Sequence, residues 1–463
     1  MSIGNSVQKF TVNRALSYME KDPVENFPKL LSWAKRFTRG SQYNKTVDKF
    51  ESYWKEQNAY GQLIRRALTE FNPNVRKKLL QNFFINSGIE GTPRIRKASK
   101  EGGVNIPWAI LMDPTSACNL QCIGCWAAEY GKQDNLSFEK MDDIITQGKE
   151  LGIYVYLFSG GEPLVRKGDI IRLCEKHDDC AFLAFTNATL IDEEFVKEVQ
   201  RVGNFAPAIS IEGFEEETDM RRGKGTYRKI MQAMDLLKDS GIPFGFSACY
   251  HSGNYQTVAS EEYMDFLIDK GCFFGWFFTY MPLGKDAAVD LLVSAEQREH
   301  MYHRVRELRE KKPIWLMDFW NDGEFVGGCI AGGRTYFHIN ARGDCEPCAF
   351  IHYATHNIHD CTLMEALGSP LFRKYQEGQP FSDNLLRPCP LLDNPEALRE
   401  IVHESGAVST QPLDNENVDD LTKKCEGVAE EWQKTADKLW TENPHYCFKG
   451  CINYGLDKHI EVK

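Results

Sequence analysis

The spacing of apolar positions in this chain changes near residue 100. Residues 1–100 place apolar side chains three and four apart, as in 59–71 and 75–86, and prolines separate such segments. This spacing predicts a helical region. Beyond residue 100, short apolar runs alternate with amphipathic stretches. The runs predict six strands, near residues 109–112, 154–158, 182–185, 208–211, 244–248 and 273–279.

The amphipathic stretches between these strands predict helices. They cover residues 137–150, 193–201, 226–240 and 261–270, and several end at a glycine. Because strand and helix alternate, the strands should be parallel and joined by right-handed crossovers. Six such units predict an α/β fold, a partial (β/α)6 barrel whose working face is formed by the carboxyl-terminal ends of the strands.

We expect three parts in the chain: a basic helical region at residues 1–100, the partial barrel at residues 101–290, and a cysteine-rich extension at residues 291–463. The extension opens with a predicted helix over residues 295–311, capped by Ser294 and Gln297, and contains another near residues 421–439. A chain of 463 residues with 42% hydrophobic content can bury more than one core.

Charge is distributed unevenly along the sequence. Residues 1–100 carry 19 Lys and Arg against 8 Asp and Glu, a net charge of +11, so the other residues carry −22 of the total of −11. Basic blocks at residues 65–66, 76–78 and 94–97 are interleaved with Trp and Phe. This mixture suits an anionic membrane surface and suits a solvated helical face equally well. No nucleic-acid partner is expected.

Two features bear on location. No apolar run is long enough to span a bilayer, and residues 1–10 lack the layout of a signal peptide. We therefore expect a cytoplasmic protein, with residues 1–100 able to place it at a membrane surface.

The sequence contains fifteen cysteines, some of them clustered. In a reducing compartment, clustered cysteines bind metal more often than they form disulfides. Cys118, Cys122 and Cys125 directly follow the first predicted strand. Three thiolates on one loop can ligate three irons of a 4Fe-4S cluster and leave the fourth iron open. A zinc site without a nearby fourth ligand is the alternative.

The C-x3-C-x2-C spacing after a first barrel strand resembles the signature of the radical S-adenosylmethionine (SAM) superfamily. Further matches lie at predicted strand ends in the order of that family. The resemblance implies that they contact SAM: Gly160, Gly161, Glu162 and Pro163 as the G-G-E-P motif, Asn187 within T-N-A-T, Ser210, Glu212 and Arg222. Glu162 would hold the amino group of SAM, and an arginine of the Arg221-Arg222 pair its carboxylate.

The match to the family has two departures. Gly124 stands where the family often has an aromatic residue that contacts adenine, and Trp126 is a substitute for it or a packing residue. Ala188 replaces a common glycine. In the family, SAM binds the open iron, and electron transfer gives a 5'-deoxyadenosyl radical that removes hydrogen from a substrate. The resemblance implies such an enzyme, with an electron donor such as flavodoxin or ferredoxin.

A second cysteine set begins at residue 329. Cys329, Gly343 and Cys348 match the C-x9–15-G-x4-C opening of the SPASM and twitch extensions, which hold auxiliary 4Fe-4S clusters. The resemblance implies at least one auxiliary cluster with Cys389 as its third ligand. The fourth ligand is open, and we assign Cys425 ahead of Cys345, Cys447 and Cys451. The full C-x2-C-x5-C-x3-C run is absent, which favours one auxiliary cluster over two. No role is expected for Cys174, Cys180, Cys272 and Cys361. Cys249 lies near the end of the fifth predicted strand and has either no role or a role in substrate binding.

Several residues are expected to face the substrate. Asp318 lies among aromatic residues and could accept a proton after hydrogen abstraction, or cap a loop. Side chains at the ends of strands five and six face the space above the cluster or belong to the core: Tyr250, Trp276, Tyr280 and Met281.

Two substrate hypotheses follow. The first is a membrane lipid, joined by C–C coupling or a similar reaction, because of the basic aromatic N-terminal region and a loose resemblance to radical SAM lipid-coupling enzymes. The second is maturation of a peptide or protein, as many SPASM enzymes perform. A non-catalytic iron-sulfur or zinc protein would not need the residues from Gly160 to Pro163, so the sequence argues against it.

Overall fold

The computed structural model describes residues 14–15, 17–38 and 44–442. Nine strands form one open sheet in the order β7-β6-β5-β4-β3-β2-β1-β8-β9. Strands β1 to β8 are parallel to one another, and β9 is antiparallel to β8. Their bounds are β1 Ala109–Met112, β2 Val155–Phe158, β3 Ala181–Thr186, β4 Phe205–Ser210, β5 Phe244–Tyr250, β6 Cys272–Thr279, β7 Trp315–Asp318, β8 Tyr336–Ile339 and β9 Cys345–Glu346.

The six predicted strands are β1 to β6, and the prediction of an α/β partial barrel is confirmed. The extension contributes three more strands to the same sheet, β7 beside β6 and β8 with β9 beside β1. A separate two-stranded sheet pairs β10 Tyr353–Ala354 with β11 Val408–Ser409.

Helices cover the outer face of the sheet. The four predicted between strands are confirmed as Phe138–Leu151, Glu193–Val202, Thr226–Asp239 and Glu261–Asp269. Two further helices between strands were not expected from the sequence, Lys167–Lys176 and Glu215–Arg222. The extension contains Ala295–Lys311, with the expected capping box, and the helices Leu363–Leu367, Pro370–Gly378, Pro395–Ser405 and Val418–Glu442. Short helices lie at Ala128–Tyr130, Pro163–Arg166, Tyr255–Val258, Val289–Leu291 and Gly323–Val326.

The described part of the N-terminal region is helical, as predicted. Its helices are Pro23–Thr38, Asn44–Glu56, Ala59–Glu70, Pro73–Leu79, the π-helix Leu80–Gly91, and Thr92–Gly102. They dock at the amino-terminal ends of the strands. Arg66 donates to the carbonyls of Cys272 (3.2 Å) and Pro313 (3.0 Å), and Asn82 donates to the carbonyl of Cys180 (2.7 Å). The opposite edge of the sheet, where the motifs lie, is left to the loops.

Strand β6 shows how the sheet divides its two faces. Phe273 and Phe277 point outward and are buried under helices, whereas Phe274, Trp276 and Phe278 alternate with them and are half-buried. The inner face of the partial barrel therefore carries aromatic side chains that neighbouring protein does not cover completely.

Candidate functional site

The three-cysteine loop follows β1 at the carboxyl-terminal edge of the sheet. Cys118, Cys122 and Cys125 are each half-buried. The amide of Leu120 donates to Sγ of Cys118 (3.4 Å), and Nη1 of Arg222 lies 3.9 Å from Sγ of Cys122. Burial raises the pKa of Cys118 to about 11. Amide and guanidinium donors next to thiols suit cysteines that become thiolate ligands of a cluster.

Two glycines let the loop after β2 lie directly on the cysteine loop. A Cβ atom at Gly161 would lie 2.2 Å from the carbonyl oxygen of Ala117, and one at Gly160, whose φ is +100°, would lie 2.5 Å from that of Thr115. The amide of Glu162 donates to the Ala117 carbonyl (2.8 Å). No other residue type fits at these two positions without moving the cysteine loop.

The Glu162 carboxylate holds neighbouring loops together. It is 1% exposed and accepts from the Thr186 hydroxyl (2.6 Å) and the amides of Asn187 (2.7 Å) and Leu164 (3.0 Å). Burial raises its pKa while these donors oppose the shift. Pro163 follows at the first position of a short helix. In this structure Glu162 binds protein donors, and its contact with the SAM amino group stays a prediction.

Asn187 joins the loop after β3 to the cysteine loop. Its side-chain amide donates to Oδ1 of Asn119 (2.8 Å), and Asn119 in turn donates to the Thr189 hydroxyl (2.8 Å). Ala188 adopts φ +62°. The position thus keeps the left-handed backbone that glycine prefers, without a glycine.

Two arginines meet one buried carboxylate beside the cysteines. Glu212 accepts from Nε and Nη2 of Arg222 (2.6 Å for Nη2) and from Nη1 of Arg221 (2.9 Å). Although burial opposes them, the two guanidinium groups lower the pKa of Glu212. Glu212 therefore orients both arginines. Ser210, half-buried at the end of β4, lies next to this group in sequence.

The second cysteine set also converges. Burial raises the pKa of Cys348, and the nearby thiols of Cys329 and Cys389 add to the shift. The amide of Phe350 donates to Sγ of Cys348 (3.5 Å), and that of Leu392 to Sγ of Cys389 (3.3 Å). The three predicted auxiliary ligands thus lie together, with amide donors like those of the first loop.

The structure separates the contenders for the fourth auxiliary ligand. Burial raises the pKa of Cys425, and the Cys389 thiol is the next largest cause of the shift. The Cys361 thiol is instead the largest cause that raises the pKa of Cys345, so these two cysteines lie beside each other. Cys447 and Cys451 lie outside the described residues. Cys425 is therefore the best-placed of the described cysteines.

Within residues 44–442, 17–38 and 14–15, no group of three or more His, Cys, Asp or Glu side chains is arranged to bind one metal ion. In a 4Fe-4S cluster each thiolate binds a different iron, so the ligands need not converge on one point as zinc ligands do. The absence of such a group therefore does not count against a cluster at either cysteine set.

Asp318 ends β7, beside β6, on the same edge of the sheet. It is fully buried, and Nδ2 of Asn321 donates to it (2.8 Å) and lies 3.4 Å from the Tyr250 hydroxyl. Burial and the neighbouring Asp322 raise its pKa to about 6. The backbone amide of Asn321 also donates to the Asp318 carboxylate (3.4 Å), so Asp318 caps the loop that follows β7. Its role as a proton acceptor stays a prediction.

Of the four side chains expected near the substrate, one is partly open. Trp276 is half-buried and packs against Phe185 with ring centroids 4.9 Å apart. Tyr250, Tyr280 and Met281 are buried. Four further half-buried aromatic residues, which were not expected from the sequence, lie around Trp276: Phe185, Phe278, Phe319 and Phe350. The ring centroid of Phe350 lies 5.9 Å from that of Trp126. Of the four, Phe278 is the one that the alternation along β6 could have indicated.

A buried ion network was also missed, because its members are far apart in sequence. His338 on β8 lies between Glu346 (2.7 Å from Nδ1) and Asp113 (3.0 Å from Nε2). Against the effect of burial, the two carboxylates raise the pKa of His338 to about 10. The Ser159 hydroxyl donates to Asp113 (2.7 Å), and the Tyr130 hydroxyl to Glu346 (2.7 Å). The network joins the loops of the site to the extension.

Comparison with known proteins agrees with this geometry. The family model described as the radical SAM superfamily matches residues 112–267. Fe-coproporphyrin III synthase of Methanosarcina barkeri is 29% identical over 230 residues, covering 47% of this chain and 57% of that protein. PqqA peptide cyclase of Granulibacter bethesdensis is 26% identical, covering 63% of this chain and 80% of that protein. The chain thus spans little more than half of the first of these relatives.

Among solved structures, Streptococcus suis SuiB bound to its precursor peptide SuiA shares the fold. Its TM-score is 0.54 at 17% identity, with 81% of this chain and 89% of that chain covered. The likeness extends well beyond residues 112–267, so the extension is part of the shared architecture.

Proposed function

We propose that this chain, a radical SAM enzyme with a SPASM-like extension, removes hydrogen from an unactivated carbon of a peptide or protein substrate. The observation that supports the reaction class most is the meeting of four strand-end loops at one point: the three-cysteine loop, the G-G-E-P loop, the T-N-A-T loop and the Glu212-arginine group. The comparison over residues 112–267 supports the same class.

The chain's own residues would have distinct tasks. Cys118, Cys122 and Cys125 would hold the SAM-binding cluster. The predicted SAM contacts remain Gly160, Gly161, Glu162, Pro163, Asn187, Ser210, Glu212 and Arg222, with Glu212 acting through the arginines. When bound, the cluster and SAM supply the reductive cleavage of a carbon-sulfur bond. The half-buried aromatic wall around Trp276 would exclude water from the reacting carbon.

The second cysteine set would hold one auxiliary 4Fe-4S cluster through Cys329, Cys348, Cys389 and Cys425. Low-potential electrons would come from a donor such as flavodoxin or ferredoxin. Asp318 is proposed as a proton acceptor; its raised pKa, near 6, is favourable for that role at neutral pH.

The peptide substrate rests on the comparisons. PqqA peptide cyclase, named for its action on a peptide, aligns with 63% of this chain, beyond the limits of residues 112–267. A second relative, mycofactocin maturase of Mycolicibacterium smegmatis, is named as a maturase and is 24% identical over 293 residues. These relatives favour a peptide over the lipid of our first hypothesis.

A membrane lipid remains the second candidate because apolar residues of the π-helix are exposed. Phe83, Phe84 and Ile89 are 43%, 50% and 53% exposed. Some of the basic side chains expected to bind the membrane instead bind other parts of the protein. Arg76 pairs with Glu20, and Arg94 donates to the Lys149 carbonyl. Among the described helices, none is long and apolar enough to cross a bilayer.

Anaerobic reconstitution tests the reaction class. We expect about eight irons per chain and 5'-deoxyadenosine from SAM after reduction with dithionite. Replacing Cys118, Cys122 and Cys125 with Ala should abolish cleavage and keep about four irons. Cys425→Ala should lose the other four, whereas Cys345→Ala, the matched control, should keep all. Zinc in place of iron, or no cleavage in the wild type, contradicts the proposal.

Deuterium transfer distinguishes the two substrate classes. Cells grown in deuterated medium are separated into a peptide fraction below about 10 kDa and a lipid fraction presented as vesicles, and each is added to the enzyme with unlabelled SAM. Deuterium in 5'-deoxyadenosine from the peptide fraction alone supports the proposal. Deuterium from the lipid fraction alone establishes the lipid instead.

A further inference from the structure

The helix Glu215–Arg222 ends beside the three-cysteine loop. The Ile123 amide, between two of the cysteines, donates to the Arg221 carbonyl (2.9 Å), and Nη2 of Arg221 donates to the Gly124 carbonyl (3.3 Å). Two apolar side chains are exposed at this junction, Ile123 (48%) and Met220 (51%). The protein surface next to the three predicted cluster ligands therefore has an apolar centre.

The next helix, Thr226–Asp239, begins at the same place. The Asp219 carboxylate accepts from the amides of Gly225 (2.6 Å) and Tyr227 (2.8 Å). This carboxylate therefore fixes the start of the second helix against the last turn of the first. Side chains in the intervening turn and in the first turn of Thr226–Asp239 lie close to Met220 for that reason.

Three basic side chains border the apolar centre: Lys224, Arg228 and Lys229. All three are exposed, and none forms an ion pair or a side-chain hydrogen bond with any residue that the structure describes. Two exposed acids, Glu215 and Glu216, lie at the far end of the first helix. Unpaired basic side chains can bind an acidic partner without first giving up an ion pair within the protein.

We call Ile123, Met220, Lys224, Arg228 and Lys229 the Met220 patch. Its two helices belong to the layer that covers the outer face of the sheet, whereas the half-buried aromatic side chains line the inner face. A protein bound at the patch would therefore leave the inner face free for SAM and substrate. The net charge of residues 101–463 is −22, so this basic patch lies in an acidic part of the chain.

We propose that the Met220 patch is the docking surface for an acidic electron-carrier protein, which passes one electron to the cluster held by the three cysteines. The carrier is oxidised by one electron and the cluster is reduced by one, with no bond formed or broken. The inference rests on the proposed function, since it requires a cluster at the three-cysteine loop.

The size, charge and position of the patch suit this partner. Electron transfer weakens steeply with distance, so a carrier must contact the protein next to the ligand loop. Complementary charge speeds the encounter of two proteins. Complexes for electron transfer are among the smallest and weakest protein interfaces, so a small patch is sufficient.

Electron transfer from flavodoxin, an acidic flavoprotein, tests the patch. Flavodoxin hydroquinone is mixed anaerobically by stopped flow with the reconstituted full chain and SAM, and its oxidation is followed by flavin absorbance. The combined variant Lys224→Glu, Arg228→Glu and Lys229→Glu should lower the second-order rate constant at least about 10-fold at low ionic strength. The difference should shrink at about 1 M salt, where the Debye length is about 3 Å. Iron content and dithionite-driven SAM cleavage should be those of the wild type.

The matched control combines Lys77→Glu, Lys97→Glu and Lys100→Glu. These lysines are exposed on the N-terminal helices, which dock at the opposite edge of the sheet, and the change in net charge is the same. The control should accept electrons from flavodoxin at nearly the wild-type rate. A slower rate in the patch variant alone then assigns the effect to the position of the charges.

Three results would overturn the inference: equal rates for the patch variant and the wild type, equal losses in the patch variant and the control, or a wild-type rate that does not fall with salt. The salt dependence of the wild type tests the patch even where a variant loses iron. If dithionite yields no 5'-deoxyadenosine with the wild type, the proposed function fails instead.

Discussion

At the scale of single residues, the carboxyl group of Asp318 is unusual because it is buried among other charges. Its amide donates to Asp322 (2.8 Å), and Asp322 pairs with Arg309. Burial, then Asp322, raises the pKa of Asp318 to about 6, above the value of about 3.9 for an unfolded chain. The folded protein therefore binds this proton more tightly than the unfolded chain does.

The sign of the pH dependence follows from that difference. Any stability gained from protonated Asp318 is complete below about pH 4 and is lost as pH rises to about 6. Against Asp318→Asn, the wild-type free energy of unfolding should fall by roughly 2 to 3 kcal/mol across this window. Urea unfolding at a series of pH values measures it, with Asp360→Asn, an exposed site, as control.

If the free energy of unfolding depends on pH in the same way for the wild type and Asp318→Asn, burial does not raise the pKa of Asp318 as described. The same variant bears on the reaction. If it turns over the identified substrate at the full rate, Asp318 is not the essential proton acceptor.

At the scale of elements, periodicity predicted β1 to β6 and four helices to within a few residues because their apolar positions repeat regularly. The helix Glu215–Arg222 carries six charged residues among eight and has no apolar period. Its buried Arg221 is stabilised by Glu212, a partner outside the helix. Strand β8 contains His338, whose charge is balanced by carboxylates from other elements. Such partners cannot be read from local spacing.

One arginine connects three elements of the extension. Arg298, in the helix Ala295–Lys311, is 3% exposed, pairs with the buried Asp393, donates through Nε to Asn321 (2.9 Å), and lies 4.2 Å from the ring centroid of Trp432. Trp432 belongs to the helix Val418–Glu442. Arg298 therefore joins this long helix to the rest of the fold through the ring of Trp432.

Arg298→Met should lower the free energy of unfolding by about 3 to 5 kcal/mol, because Asp393 would keep a buried charge without its partner. Urea unfolding followed by circular dichroism measures the change. Lys434→Met, on an exposed position of Val418–Glu442, should change it by less than about 0.5 kcal/mol. Similar changes in the free energy of unfolding for Arg298→Met and Lys434→Met would mean that Arg298 does not stabilise the helix Val418–Glu442.

At the scale of the whole molecule, strand order decides which motifs meet. The sequence placed the three-cysteine loop and the G-G-E-P loop at one edge because β1 and β2 were predicted to be parallel neighbours. It did not show that β8 adds beside β1, in register from Ala109 with Tyr336 to Met112 with Ile339. That pairing depends on long-range contacts. It brings the extension against the barrel and creates the buried network of Asp113, His338 and Glu346.

The network predicts an order among variants. His338→Leu leaves the carboxylates of Asp113 and Glu346 facing each other without a cation, so we expect a loss of about 3 to 5 kcal/mol in the free energy of unfolding. Glu346→Gln keeps the His338 pair with Asp113 (3.0 Å) and an amide that can still donate or accept. The free energy of unfolding should therefore fall less in Glu346→Gln than in His338→Leu.

Iron content connects this order to the site. Asp113 binds the Ser159 hydroxyl beside the G-G-E-P loop, while Glu346 lies two residues before Cys348. His338→Leu should therefore reduce iron bound at both cysteine sets, and Glu346→Gln mainly at the second. Iron counting after reconstitution, beside urea unfolding, measures both effects. Equal iron in the two variants would mean that the network stabilises the sheet without positioning either set of cysteines.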